Sequence, residues 1–346
     1  MDWLDPALPR PRHGGRIREA ARHYGIPPEA WLDLSTGINP HGWAAPAVPA
    51  ETWHALPEEG DGLVAAARAC YRASHVLPVA GSQAAIQALP HLRPPGRVGI
   101  LTPGYAEHAH AWRRTGHEVV PVTASADRVG EALPTLDVLI LIHPNNPTGT
   151  RFLRRHLLEW HSRIAARGGW LVLDEAFMDP TPHESLAAQS HLPGLIVLRS
   201  LGKFFGLAGA RVGFVCAAPP LLERLDALLG PWTLAGPSRW IATKALRDTA
   251  WQAGMRVRLH QESRRLASLL TRHGLTPTGG CALFQWVLTP QAPAWEEALA
   301  RRGILVRRFD TPASLRFGLP GQDREWERLD QALEKIRREV SCLPVP

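Results

Sequence analysis

The stretch "RSLGKFFGLAGARVGF", residues 199–214, sets one lysine, Lys203, in a glycine-rich turn directly after an apolar run. An amine at such a place costs desolvation free energy unless it is neutralised, paired or chemically used. A nucleotide phosphate loop does not account for it. No glycine lies five residues before Gly202, and Phe204 stands where such a loop needs Ser or Thr. Two more apolar runs close on polar residues: "VLILIHPNNPTG" (138–149) carries Asn146, and "WLVLDEAF" (170–177) carries Asp174. Ligand sites in α/β sheets gather at the carboxyl ends of the strands. An amide, a carboxylate and an amine delivered to one edge make an odd core but a sensible cofactor site.

The elements that must position these groups are legible as a rhythm. "RVGILTP" (97–103), "EVVPV" (118–122), "VLILIHP", "WLVLDEAF", "LIVLRSL" (195–201) and "RVGFVCA" (211–217) are short apolar runs, several of them unbroken Val/Ile/Leu. That is the pattern of strands covered on both faces. Between two of them "RRHLLEWHSRIAARGG" (154–169) spaces its apolar residues helically and stops at two glycines. Such alternation predicts an α/β domain with a mostly parallel sheet. After Pro237 the rhythm changes to a long helical stretch (239–274), a strand "ALFQWVL", a short helix, strands "ILVRRF" and "SLRFGLP", and a final helix to 340. The expected division is an arm over 1–38, a large domain over 39–236 and a smaller α+β C-terminal domain over 237–346.

Composition narrows the partners. The 346 residues carry a formal net charge of +7. The arginines are scattered from Arg10 to Arg338 with no long basic run, which speaks against a nucleic-acid footprint. Cys70, Cys216, Cys281 and Cys342 lie far apart without a CxxC pair, so neither a metal site nor a disulfide framework is expected. The first twenty residues hold no apolar leader, and no run approaches the roughly 18 apolar residues of a membrane span. A soluble, cytoplasmic protein with reduced thiols, no metal and no membrane partner is expected.

Taken in order, "HPNNPTG", "LVLDEAF", a lysine 29 residues after Asp174, and "GLAGARVGF" resemble the fold-type I pyridoxal-phosphate enzymes of the aminotransferase class I/II group, over essentially the whole chain. The resemblance implies the PLP-dependent transferase-like fold, a homodimer, and pyridoxal 5′-phosphate as cofactor. It implies that Lys203 bonds the cofactor aldehyde and later moves protons at the substrate carbon. Asp174 would pair with the pyridine nitrogen, Asn146 with the ring 3′-oxygen, and Tyr105 of "TPGYAEH" would stack on the ring. The phosphate would be held where "LPVAGSQAAIQAL" (77–89) opens a helix at Ser82 and Gln83, together with Ser200 and Arg211. Arg316 of "SLRFGLP" would take an α-carboxylate and Asn39 of "DLSTGINPHG" would lie along the substrate. His13 of "RHGG", with Arg307 or Arg308, would add positive charge for a second anionic group.

Two departures mark a branch within the family. The aminotransferases of histidinol phosphate typically read "DEAY" and "YPD", whereas this chain has Phe177 in "DEAF" and Leu56 in "HALPEEG". Both departures, with "RHGG", "STGINP" and "AGSQAAIQALPHLRPPGRV", resemble the branch that decarboxylates L-threonine O-3-phosphate. That phosphorylated amino acid becomes (R)-1-amino-2-propanol O-2-phosphate in cobalamin biosynthesis. Histidinol-phosphate aminotransfer is the alternative, since the scaffold is shared. A transcription regulator of this fold would carry a winged-helix domain ahead of the match, where about 40 residues are too few for one.

Overall fold

An unbroken Val/Ile/Leu run is stable as a strand only where both faces are covered. "VLILI" meets that condition: all five residues of Val138–Ile142 are buried. So are those of Trp170–Asp174 and Leu195–Ser200. The computed structural model describes residue 11 and residues 13–340. In it the apolar runs form one seven-stranded sheet in the order 76–79, 213–216, 195–200, 170–174, 138–142, 97–102 and 118–123. Pairing is parallel from 195–200 outward to 118–123, while 213–216 runs antiparallel to both its neighbours. On one face Val138, Ile140, Val172, Ile196 and Leu198 pack with Ile86, Leu89 and Trp112. Each fully buried aliphatic side chain there stabilises the fold by about 1.5–3 kcal/mol.

The chain folds into two compact units. One comprises residues 42–146 and 150–256 and holds the large sheet. The other comprises residues 13–41, 147–149 and 257–340. Its larger sheet has four antiparallel strands, in the order Arg307–Asp310, Ala313–Gly318, Phe284–Leu288 and Gly279–Cys281. These boundaries differ from the expected 38 and 236. Residues 13–41 pack on the C-terminal part of the chain: Leu32–Asp33 pairs in parallel with Ile304–Leu305, and Ala21 and Trp31 pack with Ala300. Residues 1–10 and 12 of that expected arm, and Cys342, lie outside the described residues.

Two expected elements are divided. The helical stretch becomes Gly236–Arg247 and Thr249–Arg272, interrupted at Asp248. The Asp248 carboxylate accepts the Trp251 N–H at 3.0 Å and the Trp43 indole N–H at 2.9 Å, the work of an N-capping residue rather than a mid-helix one. "ILVRRF" splits around Val306, because its first two residues pair with 32–33 and the rest with 313–318. Among the described residues no helix is long and apolar enough to cross a membrane.

The sheet buries one unusual group. The Arg199 guanidinium is 1% exposed and sits 4.6 Å from the centre of the Tyr71 ring. It pairs with Glu175 at 2.6 Å and with Asp179. Burial pushes the Asp179 carboxyl above its ordinary range, with the Arg199 charge as the main opposing influence. Removing one partner from a buried pair leaves an uncompensated charge. Arg199→Ala is therefore expected to lower unfolding stability by about 3–5 kcal/mol in urea denaturation. A loss under about 1 kcal/mol would show that Glu175 and Asp179 find other partners.

Candidate active site

The expected cofactor residues meet in one place. Ser82, Gln83, Tyr105, Asn146, Asp174, Ser200, Lys203 and Arg211 all line a single pocket of about 150 Å³ within the large unit. The sheet explains the convergence. Asp174 and Ser200 are the last residues of parallel neighbours, and Asn146 follows a third strand. Lys203 and Arg211 ride the connection that turns back from 195–200 into 213–216.

Asp174 is 3% exposed, so its carboxylate must be satisfied from within. One oxygen accepts the Ala176 backbone N–H at 3.1 Å, and the other lies 2.9 Å from Nε2 of His108, itself buried. His108 closes the segment "TPGYAEH" that marks Tyr105, but the segment assigns it no role of its own. It stands in the first turn of helix Ala106–Arg114, three residues after Tyr105, where a histidine reads as helix decoration. Nothing in the local pattern points to a partner 66 residues away.

The asparagine pair divides its work. Asn145 is fully buried and donates its side-chain N–H to the Pro103 carbonyl at 2.9 Å, while Asn146 faces the pocket. Tyr105 donates its hydroxyl to Gln83 Oε1 at 3.2 Å. Burial, followed by the negative charges of Glu107 and Asp174, pushes that phenol well above its ordinary pKa. Phe177 is buried in the pocket wall with Lys203 Nζ 5.4 Å from its ring centre, and it brings no hydroxyl to the site.

These residues suit pyridoxal 5′-phosphate. The donor set holds an amine, a carboxylate, an amide and a guanidinium, one for each polar function of the ring and its phosphate. The backbone is also shaped for an anion. Gly81 has φ +73°, and a Cβ there would lie 2.6 Å from Arg211 Nη2. A Cβ on Gly213 would lie 2.4 Å from the Ser82 nitrogen. Both glycines thus leave room for a guanidinium and backbone N–H groups to crowd one spot. Arg211 adopts φ +52°, a left-handed conformation that non-glycine residues seldom take.

The four expected substrate residues lie in the second unit. Arg316 is 5% exposed on the strand Ala313–Gly318 and donates to the Ser35 carbonyl. Its guanidinium is 5.2 Å from the Phe284 ring centre. Burial, helped by the positive charge of Arg307, pushes its pKa down to about 10, so it stays charged at neutral pH. Arg307 is its cross-strand partner in the register. The doublet is resolved by strand alternation: Arg307 lines a cavity of about 310 Å³ with His13, whereas Arg308 pairs with Glu296 at 2.7 Å and Asp310 at 3.0 Å. Asn39 is buried, and its side-chain oxygen accepts the His41 N–H at 2.9 Å. Arg316 and Asn39 do not line the cavity of His13 and Arg307. Among the described residues no group of three or more His, Cys, Asp or Glu could hold a metal ion.

Gly81→Ala tests the anion cradle, because its methyl would displace Arg211 Nη2. We expect about a tenfold rise in the dissociation constant for pyridoxal 5′-phosphate, read by absorbance titration of the cofactor-free protein. An unchanged constant would mean that Arg211 does not contribute to holding the anion.

The chain is 58% identical over 321 residues to a threonine-phosphate decarboxylase from Pseudomonas aeruginosa, covering 93% of this chain and 96% of that protein. It is 42% identical over 334 residues to a threonine-phosphate decarboxylase from Sinorhizobium sp, covering 94% and 98%. A crystal structure of histidinol-phosphate aminotransferase from Sinorhizobium meliloti, in complex with pyridoxal-5′-phosphate, superposes with a TM-score of 0.84, covering 98% of this chain and 99% of that one. At 19% identity that likeness speaks for the fold alone. The sequence profile for aminotransferase class I and II matches residues 31–336, and the chain belongs to that family.

Proposed function

We propose that this chain binds pyridoxal 5′-phosphate and decarboxylates L-threonine O-3-phosphate to (R)-1-amino-2-propanol O-2-phosphate, a step of cobalamin biosynthesis. The observation that carries the reading is the 58% identity, across 93% of the chain, to a threonine-phosphate decarboxylase. The pocket chemistry supports it. Bound there, pyridoxal 5′-phosphate supplies an electron sink for the pair released when the bond between Cα and the carboxylate breaks.

The chain's own residues do the rest. Lys203 would hold the resting cofactor covalently and, once released as a free amine, would return a proton to Cα after CO₂ departs. Asp174, oriented by His108 and the Ala176 N–H, keeps positive charge on the ring nitrogen, since a carboxylate beside it favours the protonated form. Asn146 donates to the ring oxygen, and Tyr105 supplies an aromatic wall. Ser82, Gln83, Ser200 and Arg211 hold the cofactor phosphate. On the substrate, Arg316 takes the α-carboxylate with its planar fork and Asn39 lies alongside. Arg307 and His13 meet the phosphate, a second anion that suits their shared cavity.

We further infer a homodimer working in the cytoplasm. Trp53, Leu56 and Trp232 of the large unit are 68%, 63% and 59% exposed, large apolar side chains that a second protomer would cover. Burial pushes the Cys70 and Cys216 thiols up to about 12, which makes them unreactive.

Given L-threonine O-3-phosphate alone, the holoenzyme is expected to release CO₂ over many turnovers without any keto acid. A decarboxylase regenerates its cofactor each cycle, whereas an aminotransferase halts after one half-reaction. Unphosphorylated threonine should be poorer by roughly a hundredfold or more, because cations built for the phosphate lose their partner. Rapid turnover of histidinol phosphate with 2-oxoglutarate, with no CO₂ from threonine phosphate, would install the alternative. Borohydride reduction of the holoenzyme followed by peptide mapping should place the cofactor on Lys203. Label on any other lysine would remove Lys203 from its role.

A further inference from the structure

Two helices meet behind the phenol of Tyr105, and beside their apolar contact runs a polar one. Gln83 and Gln87 stand one turn apart on Ser82–Ala88 and so share a face. Both donate their side-chain N–H to the same oxygen of Glu107, at 2.8 and 3.2 Å. Glu107 sits in the first turn of Ala106–Arg114 and is 9% exposed. On the other side of its amide, Gln83 accepts the Tyr105 hydroxyl at 3.2 Å.

We infer that Glu107 is a positioning residue: its carboxylate fixes the direction of a relay through Gln83 that holds the Tyr105 ring in the wall of the cofactor pocket. The inference rests on the cofactor reading given above. Its logic is one of donors and acceptors. The Glu107 oxygen accepts from both glutamine amides, so Gln83 turns its NH₂ toward Glu107. That leaves Oε1 facing Tyr105, which must then donate. The phenol can do so, because burial and the charges of Glu107 and Asp174 keep it protonated. An isolated amide could sit either way round, but this one is oriented by chemistry at its far end. The ring so held lines the pocket with Asp174 and Lys203, and lies edge-on to His108 at 6.2 Å between centroids. His108 in turn holds Asp174. Glu107 therefore governs, at one remove, the aromatic wall and the edge on which the histidine rests. The relay also engages the Gln83 side chain, leaving its backbone N–H and one amide hydrogen for an anion.

A helix staple without positioning would predict a different pattern, and a double-mutant cycle separates the two. Glu107→Ala, Tyr105→Phe and the double variant are compared in two measurements: the rate at which pyridoxal 5′-phosphate leaves the holoprotein, and unfolding of the cofactor-free protein. Glu107→Ala and Tyr105→Phe should each speed release about tenfold, the scale of one lost hydrogen bond to a committed partner. The double variant should be no faster than Glu107→Ala, and the visible cofactor band of the single variants should shift together. Glu107→Gln keeps the shape but can donate, freeing Gln83 to turn round, so it should speed release as well; it replaces Glu107→Ala if that variant does not fold. Full, independent effects of the two positions would overturn the relay. Wild-type protein that binds no cofactor would instead refute the cofactor reading. The unfolding cycle on cofactor-free protein still decides the relay, with coupling between positions 105 and 107 required and its absence fatal.

Discussion

Two consecutive carboxylates at the buried end of one strand are the constraint around which the large unit is arranged. Asp174 and Glu175 are 3% and 0% exposed, and neither can remain charged there without dedicated partners. The pleat separates them, because successive side chains leave a strand on opposite faces. The Glu175 N–H still bonds the Leu198 carbonyl at 3.0 Å, so the alternation continues past the strand's last residue. Asp174 is met by His108 and a backbone N–H, and Glu175 by Arg199, Ser185 and the Leu186 N–H. One carboxylate serves the pocket while its neighbour anchors the strand that carries it.

The reversal of a single strand does comparable work. Because 213–216 runs antiparallel to 195–200, the chain between them is a return loop tied at both ends, with Ser200 and Gly213 in register and the Leu201 N–H bonded to the Val212 carbonyl at 3.1 Å. A crossover helix would have carried Arg211 to the far edge of the sheet. The return loop instead keeps Ser200, Lys203 and Arg211 on one pocket although 11 residues separate the first from the last.

Much of this was legible in the sequence, for a physical reason. Strand ends in a parallel sheet inherit their positions from hydrophobic runs, and hydrophobic runs are local. Asn146, Asp174 and Lys203 could thus be assigned to one edge from the order of residues alone. What stayed hidden depends on partners far along the chain. His108 and Glu107 look like ordinary first-turn residues until Asp174 and Gln83 are placed beside them. Asp248 reads as mid-helix because its capping role shows only in its bonds to Trp251 and Trp43. The break at Val306 is invisible for the same reason, since two different strands claim its flanks. The roles of Arg307 and Arg308 separate only once the strand's pairing partner is known.

Arg211 carries a tension of its own. A side chain held at φ +52° sacrifices about 1 kcal/mol that glycine would keep. Selection for heat resistance alone would drift this position toward Gly or Asn, and selection for turnover would hold the arginine in place. On the proposed function, position 211 is thus one where stabilising the backbone would remove the guanidinium proposed to meet the cofactor phosphate, so that stability and binding would pull one residue in opposite directions.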